Sequence, residues 1–235
     1  VAGSTGPKIP TTGLTFAIDA GNTRCTDNGT ADTVNNLITG GVVTGTGGSP
    51  GTGTHTPVPA NFPELSGSYG GHFDFTDGRG MRVEELLSKG TTMSQCMWFY
   101  CNNSAIQYFG DGRSDAGTYF LSNYNSSNIN INDQLKYKFS DTYATDDSAF
   151  LNQWHCLTVT SDSAGSKLYL GGTEVSSYIT QGSVDEDFGK NYTVGSRHTS
   201  GSPWHGKMGL IHFYDRVLSA VEAKQYYNST KTRYI

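Results

Sequence analysis

Charge is in short supply in this sequence. Asp, Glu, Lys and Arg make up only 16% of its 235 residues, and the net charge is −5. The Lys and Arg residues form no run, so the basic stripe that DNA or RNA binding requires is absent. No apolar run approaches the roughly 20 residues of a membrane-spanning helix. The opening residues lack the pattern of a secretory signal. Val1 stands where a newly made chain carries Met, which points to a product processed, trimmed or cut from something longer.

Cysteine is scarce too, at four residues: Cys25, Cys96, Cys101 and Cys156. Structural zinc needs close Cys or His pairs. Cys96 and Cys101 stand five apart with no second pair, which argues against it. Cys96 and Cys156 fall in predicted strands and read as small buried apolar residues. Whether any two form a disulfide stays open at this level. No G-x-S-x-G elbow, H-E-x-x-H helix or P-loop is present, so the usual signatures of acyl transfer, zinc proteolysis and nucleotide chemistry are missing. Glu84 and Glu85 are neighbours that point apart in any regular structure, so they do not make an acid–base pair. Asp185 and Asp187 alternate, yet they sit in a polar segment ahead of a strand. They read as a solvated loop, since a working pair needs burial to raise a pKa.

What is abundant is glycine, at 30 residues, with tyrosine at 14. With many Thr, Ser and Asn, this composition suits short strands joined by turns. It is also common in proteins that work outside cells, where Tyr and Asn line adaptable surfaces. A chain of this length needs only one domain if it is a β-sandwich. Residues 1–12, VAGSTGPKIPTT, read as an arm or linker, because small residues and two prolines make no strand interior. A single domain over 13–235 follows.

Alternation and turn signals place strands at 14–18, 71–75, 81–83 (as the partner of the strand before it), 92–100, 105–110, 118–121, 136–140, 153–160, 167–170, 173–175 and 192–194. An edge strand near Val42–Thr44 lies inside a long loop, 39–60, rich in Gly, Thr and Pro. The total is about a dozen strands at the spacing of a sandwich. In 92–100, Cys96, Trp98 and Tyr100 share one face and Met97 and Phe99 the other, the pattern of a strand covered on both sides. Asp19, beside Gly21 and Asn22, reads as a turn cap.

The last thirty residues are the most organised. From Gly206 the sequence alternates as a strand, with Gly209, Ile211 and Phe213 on one face. A turn follows at Asp215 and Arg216. Ser219 then stands three residues before Glu222, the spacing of a capping box, with Leu218 and Ala223 placed to staple the helix start. Ala223, Tyr226 and Tyr227 give one short apolar stripe at helical spacing.

This segment resembles the end of the LamG-like (laminin G-like) domains of the concanavalin A-like lectin/glucanase superfamily, especially those in structural proteins of tailed bacteriophages. GLTFAIDAGN at 13–22, NQWHCLTVTSDSAGSKLYLGGTEV at 152–175 and NYTVGSRHTSGSPWHGKMGLIHFYDRVLSAVE at 191–222 agree in the same order. The resemblance implies an all-β, concanavalin A-like jelly-roll sandwich of two antiparallel sheets with one short C-terminal helix. It implies a non-enzymatic virion surface protein, decorating the capsid or forming part of a tail fibre. Other virion proteins, an oligomeric setting and a cell-surface glycan would be its partners, with weak contacts summing to avidity. Two other roles stay open: a structural module that clamps neighbouring subunits without binding sugar, and a glycan-cleaving enzyme. Against the last, glycosidases of this superfamily carry a triplet like E-x-D-x-E on one strand face, and this sequence has none.

The resemblance also directs attention to particular residues. The superfamily often holds calcium at the sandwich rim. Asp111 with Asp115, or Asp74 with Asp77, offer hard oxygen ligands for Ca2+, though each also suits a turn. For a sugar, the loop 196–205 offers the ring of Trp204 and donors from Arg197, His198 and His205, with Tyr119 as a second ring. Against that, Trp is usually substantially buried, and Trp204 reads first as a plug in the rim of the core. Opposite Ile211 and Phe213 the closing strand carries Met208, Leu210, His212 and Tyr214. Relatives often place polar residues there. Here Met208 and Leu210 make that face apolar, to be covered by the domain itself or to serve as an interface with a neighbouring subunit.

Overall fold

The computed structural model describes residues 8–22, 24–25, 34–38, 42–46, 64–66, 71–75, 80–84, 92–102, 107–111, 121–124, 128–131, 135–138, 151–175, 191–195, 204 and 206–235. Among these the chain forms β1 (Leu14–Asp19), β2 (Val34–Asn35), β3 (Val42–Thr46), β4 (Glu64–Ser66), β5 (His72–Phe75), β6 (Gly80–Glu84), β7 (Met93–Cys101) and β8 (Gln107–Asp111). It continues through β9 (Leu121–Tyr124), β10 (Asn128–Ile131), β11 (Leu135–Lys138), β12 (Trp154–Asp162), β13 (Gly165–Leu170), β14 (Thr173–Glu174), β15 (Asn191–Val194) and β16 (Gly206–Tyr214). The helix α1 (Ala220–Thr230) and a 3-10 turn over Lys231–Arg233 close the chain.

The strands make two antiparallel sheets of eight. One runs β14-β13-β12-β7-β16-β5-β4, with β1 also paired to β16. The other runs β11-β10-β9-β8-β15-β6-β3-β2. β16 is therefore central. β7 lies along one edge, while β5 takes residues 206–208 and β1 takes residues 210–214 of the other. The sixteen strands exceed the expected dozen mainly through short ones such as β4, which the sequence did not signal. Residues 71–75 and 81–83 are not partners: β5 and β6 belong to different sheets. Nor is β3 an edge, since it lies between β6 and β2.

Strand parity builds the core. Phe73 and Phe75 on β5, Met93, Met97 and Phe99 on β7, and Leu157 and Val159 on β12 face Met81 of β6 and Val194 of β15 from the other sheet. Each fully buried side chain of this size contributes roughly 1.5–3 kcal/mol. The outer face of the first sheet carries a second cluster. Cys96 and Trp98 from β7, Cys156 from β12 and Leu210 and Tyr214 from β16 pack under Leu218 and Tyr226. The two faces of β7 are those expected from its alternation, and the four cysteines are buried thiols with no disulfide.

β16 departs from its expected alternation at one point. Its register with β7 shifts between Met208 and Ile211. An extra residue reverses the parity of what precedes it, so Met208 joins Ile211 and Phe213 inside the sandwich, while Leu210 stays under the helix. Both are covered by the chain itself, at 0% and 3% exposure. This corrects their reading as an interface: neither offers surface to a neighbouring subunit.

The helix start is built as its sequence implied. The Ser219 hydroxyl accepts from the Glu222 amide at 3.3 Å, and the Glu222 carboxylate accepts from the Ser219 amide at 2.9 Å. Glu222 also takes the Arg216 guanidinium, which holds its carboxyl down at about 2. Ser94 on β7 fixes the turn before the helix, donating to the Arg216 carbonyl at 2.7 Å and accepting from the Leu218 amide at 2.9 Å. Residues 8–12, the end of the expected arm or linker, are tied to this closing unit. Tyr214 donates to the Pro10 carbonyl, Gln225 to the Lys8 carbonyl and Arg216 to the Thr12 carbonyl.

Candidate functional site

The helix covers only part of the first sheet's outer face. It lies over β7 and over the turn between β13 and β14, where Gly171 and Gly172 both take positive φ (56° and 72°). A Cβ on Gly172 would stand 2.8 Å from the Lys224 Cα, so helix and turn approach closely only because it is glycine. Beyond the helix, Tyr234 turns back onto the sheet. Its ring stacks on Trp98 at 4.7 Å, and its hydroxyl accepts from the Leu210 amide at 3.0 Å. Arg233 next to it holds Asp19 at the end of β1 through two contacts of 2.7 and 3.0 Å. Asp19 also accepts from the Gly21 amide at 2.9 Å, so it is both the expected turn cap and the anchor of the C-terminal turn.

Past Tyr234 the same face carries a row of half-buried side chains fixed by register. Trp154 on β12 pairs with Tyr100 on β7, Tyr100 with Lys207 on β16, and Lys207 with Asp74 on β5. Cross-strand partners point to the same side of a sheet. Trp154 is the hub: its ring lies 4.7 Å from Tyr234, 5.8 Å from Tyr100 and 5.8 Å from His72. The ring planes of Tyr100 and His72 stand at 60° and 61° to it. Lys207 places its ammonium 5.4 Å from the Tyr100 ring centre, a cation–π contact. All six residues are half-buried, held by their neighbours yet open to solvent.

The charges on this platform are mixed. Lys207 is a donor and Asp74 an acceptor. Burial lowers the His72 pKa, Lys207 lowers it further and Asp74 pulls it back up, leaving the imidazole below its usual value and neutral at pH 7. A neutral imidazole offers one donor and one acceptor. A large indole face flanked by rings and ringed by such groups can pack against the C–H face of a sugar while its hydroxyls find partners.

The residues expected to bind sugar fare differently. Trp204 is 0% exposed and belongs to the sandwich core, edge-on to Phe99 at 5.8 Å, with its amide bonded to the Gly195 carbonyl at 2.8 Å. That corrects its reading as a platform: the indole fills the space between the sheets, out of reach of a ligand. Arg197, His198, His205 and Tyr119 lie outside the described residues, as do Asp115, Asp77, Asp185 and Asp187. Asp111 ends β8, its backbone beside Thr193 of β15. Among the described residues no group of three or more His, Cys, Asp or Glu side chains could hold a metal ion. Asp74, also considered as a calcium ligand with Asp77, stands on the aromatic platform.

The sequence offered one hint of this site. Tyr100 falls on the outer face of its strand by alternation, and Trp154 shares a face with Cys156 and Thr158. What it did not offer was the register that sets them side by side, or the return of Tyr234.

A β-sandwich with one clamped helix and an aromatic sheet face defines a class of fold; the comparisons define the family. The Laminin_G_3 model, described as "Concanavalin A-like lectin/glucanases superfamily", matches residues 69–224, and the chain belongs to that family. No curated protein matches it in sequence. Among solved structures it is similar to domain 4 of AbnA, a GH43 extracellular arabinanase from Geobacillus stearothermophilus, in complex with arabinotriose. Identity there is 15% and the TM-score 0.59, over 91% of this chain and 97% of that one. It is also similar to the Trypanosoma rangeli sialidase in complex with 2,3-difluorosialic acid, at 13% identity and a TM-score of 0.62. That match covers 95% of this chain but only 34% of the sialidase, so the chain spans about a third of that enzyme. No helix among the described residues is long and apolar enough to cross a membrane.

Proposed function

We propose that this domain is a non-enzymatic carbohydrate-binding module that uses the platform around Trp154. The observation that carries the reading is the contact of one half-buried indole with three rings, beside a cation and a carboxylate, on the outer face of the first sheet. In support, the chain belongs to a lectin/glucanase superfamily, and a domain of matching extent has been solved with arabinotriose. The binding reading is favoured over a catalytic one because the sequence carries no alternating carboxylate triplet of the E-x-D-x-E kind on one strand face. It needs no metal. Were calcium to bind, Asp111 and Asp115 would be its ligands, and a rise in melting temperature on adding calcium chloride would bring it in.

The finer setting follows the four matching stretches of sequence. We propose a virion surface protein of a tailed phage, on the capsid or in a tail fibre, where many copies display weak glycan sites to a host surface. The competing reading is a structural module that clamps neighbouring virion proteins and binds no sugar. A glycan array with the wild type and Trp154→Ala separates the two. Binding lost in the variant supports the lectin reading; silence from both proteins overturns it. Release of reducing ends from a bound polysaccharide would overturn the non-enzymatic part. A cryo-EM map of particles carrying the protein tests the setting.

A further inference from the structure

We infer that Asp19 and Arg233 are positioning residues for the platform: their ion pair seats the C-terminal turn and, through it, holds Tyr234 against Trp154. The inference rests on the carbohydrate reading above and adds what controls that site.

Three of the platform's rings stand on strands: His72 on β5, Tyr100 on β7 and Trp154 on β12. Sheet register fixes where they lie. Tyr234 is the exception. It follows the 3-10 turn over Lys231–Arg233, and the amides of Tyr234 and Ile235 both return to the Lys231 carbonyl, at 3.0 and 2.9 Å. A helical turn this short does not hold its own shape in water. Contacts with the sheet have to seat it.

Those contacts are specific. The Arg233 guanidinium meets both carboxylate oxygens of Asp19, at 2.7 and 3.0 Å, a forked geometry that fixes direction as well as distance. The side chains of the pair are 30% and 14% exposed, so salt screens it less than a surface pair. Asp19 is itself set in place, since it ends β1 opposite Leu210 of β16. The Tyr234 hydroxyl accepts from the amide of that same Leu210 at 3.0 Å. Arg233 and Tyr234, adjacent in the chain, thus grip one point of the sheet. The Tyr234 ring then lies nearly parallel to Trp98, at 22°, and against Trp154 at 46°, with both centroids 4.7 Å away.

Removing the Arg233 contact shifts the turn toward an unseated state, and the fraction of molecules with a complete platform falls. Apparent affinity falls by that same fraction. By reciprocity, a ligand on the platform favours the seated turn.

The test uses the whole chain and two readouts. Affinity electrophoresis in gels carrying arabinan, xylan or mannan reads binding. Hydrogen exchange of the Leu210 amide, whose acceptor is the Tyr234 hydroxyl, reads seating. Arg233 is the residue to change, because Asp19 also caps the Gly21 amide. Arg233→Gln should speed Leu210 exchange and weaken binding about tenfold. Arg233→Lys, which keeps the charge, should recover most of both. Ser219→Ala, which weakens the far end of the helix, should lower the melting temperature and leave both readouts unchanged. In the wild type, the bound polymer should slow Leu210 exchange. Unchanged exchange in Arg233→Gln, or faster exchange with unchanged binding, overturns the inference. So does an equal loss of binding in Ser219→Ala, which would reduce the effect to general stability. If no gel retards the wild type, the carbohydrate reading falls, and Leu210 exchange still decides whether the ion pair seats Tyr234.

Discussion

The ring of Tyr234 occupies the place where a side chain on Gly209 would stand. A Cβ built on Gly209 falls 2.5 Å from the Tyr234 Cζ, while the Tyr234 hydroxyl accepts from the amide of Leu210, one residue further on. The glycine in the strand, the tyrosine beyond the helix and the edge of the platform are thus one arrangement, since Tyr234 also packs on Trp154.

Gly209→Ala should therefore destabilise the domain by overpacking, by about 1–3 kcal/mol. It should also lower glycan affinity by displacing Tyr234 from Trp154. In a Tyr234→Ala background the same change should cost far less. A double-mutant cycle followed by thermal melts reads the coupling; additive effects would show that the two residues do not meet.

The chain should lose stability in acid in two stages. His212 is buried beneath α1, edge-on to Tyr226 at 5.5 Å, and neither its Nδ1 nor the Tyr226 hydroxyl has a hydrogen-bond partner. Burial holds its pKa at about 4; Asp19 pulls it up and Arg233 pushes it down. An unfolded histidine titrates near 6.5, so the unfolded chain takes up a proton first as pH falls. Stability present above 6.5 is lost progressively down to about 4, on the order of 3 kcal/mol. The Glu222 carboxyl, held at about 2 by Arg216 and by the amide and hydroxyl of Ser219, adds a loss from 4.5 downward. Urea melts across pH 7 to 4 check the first stage, and His212→Phe should flatten it.

Ser94→Ala should loosen the helix without emptying the core. It leaves the Arg216 carbonyl and the buried Leu218 amide without the hydroxyl that joins them. An unmet buried backbone group costs about 1–3 kcal/mol. Hydrogen exchange should rise over residues 217–230 while strands β7 and β12 stay protected. Ser219→Ala, which removes one half of the capping box, should cost about 1 kcal/mol by the same measurement.

The tryptophans should part company. Trp204→Ala should cost about 3–5 kcal/mol, because a large ring leaves the core, and Trp204→Phe should lower the melting temperature with sugar affinity unchanged. Trp154→Ala should do the reverse, with modest loss of stability and large loss of binding. Equal effects in the two would contradict the placement of the site.

The sandwich, the central strand 93–101 and the capping box were legible because each rests on local spacing: alternation for the strands, three residues for the box. The bulge between Met208 and Ile211 was not, since one extra residue in a strand leaves no mark in composition and reverses every side chain before it. The site was legible only in fragments. Trp154, Tyr100, Lys207, His72 and Tyr234 lie far apart in sequence and meet through strand order, which alternation does not encode. Trp204 drew attention instead because polar residues surround it locally, while its actual neighbour, Phe99, comes from a distant strand.

β16 lies in the middle of its sheet, yet every other strand of that sheet precedes it in the chain. Until it arrives, β7 on one side and β1 and β5 on the other have no common partner, and Tyr214 must find Pro10 across 204 positions of sequence. Folding of this domain therefore waits for its final segment. During synthesis the half-built sheet exposes strand edges of the kind that aggregate. A weakening change in β16 should slow folding, whereas an equal one in the outlying β13–β14 hairpin should mainly hasten unfolding.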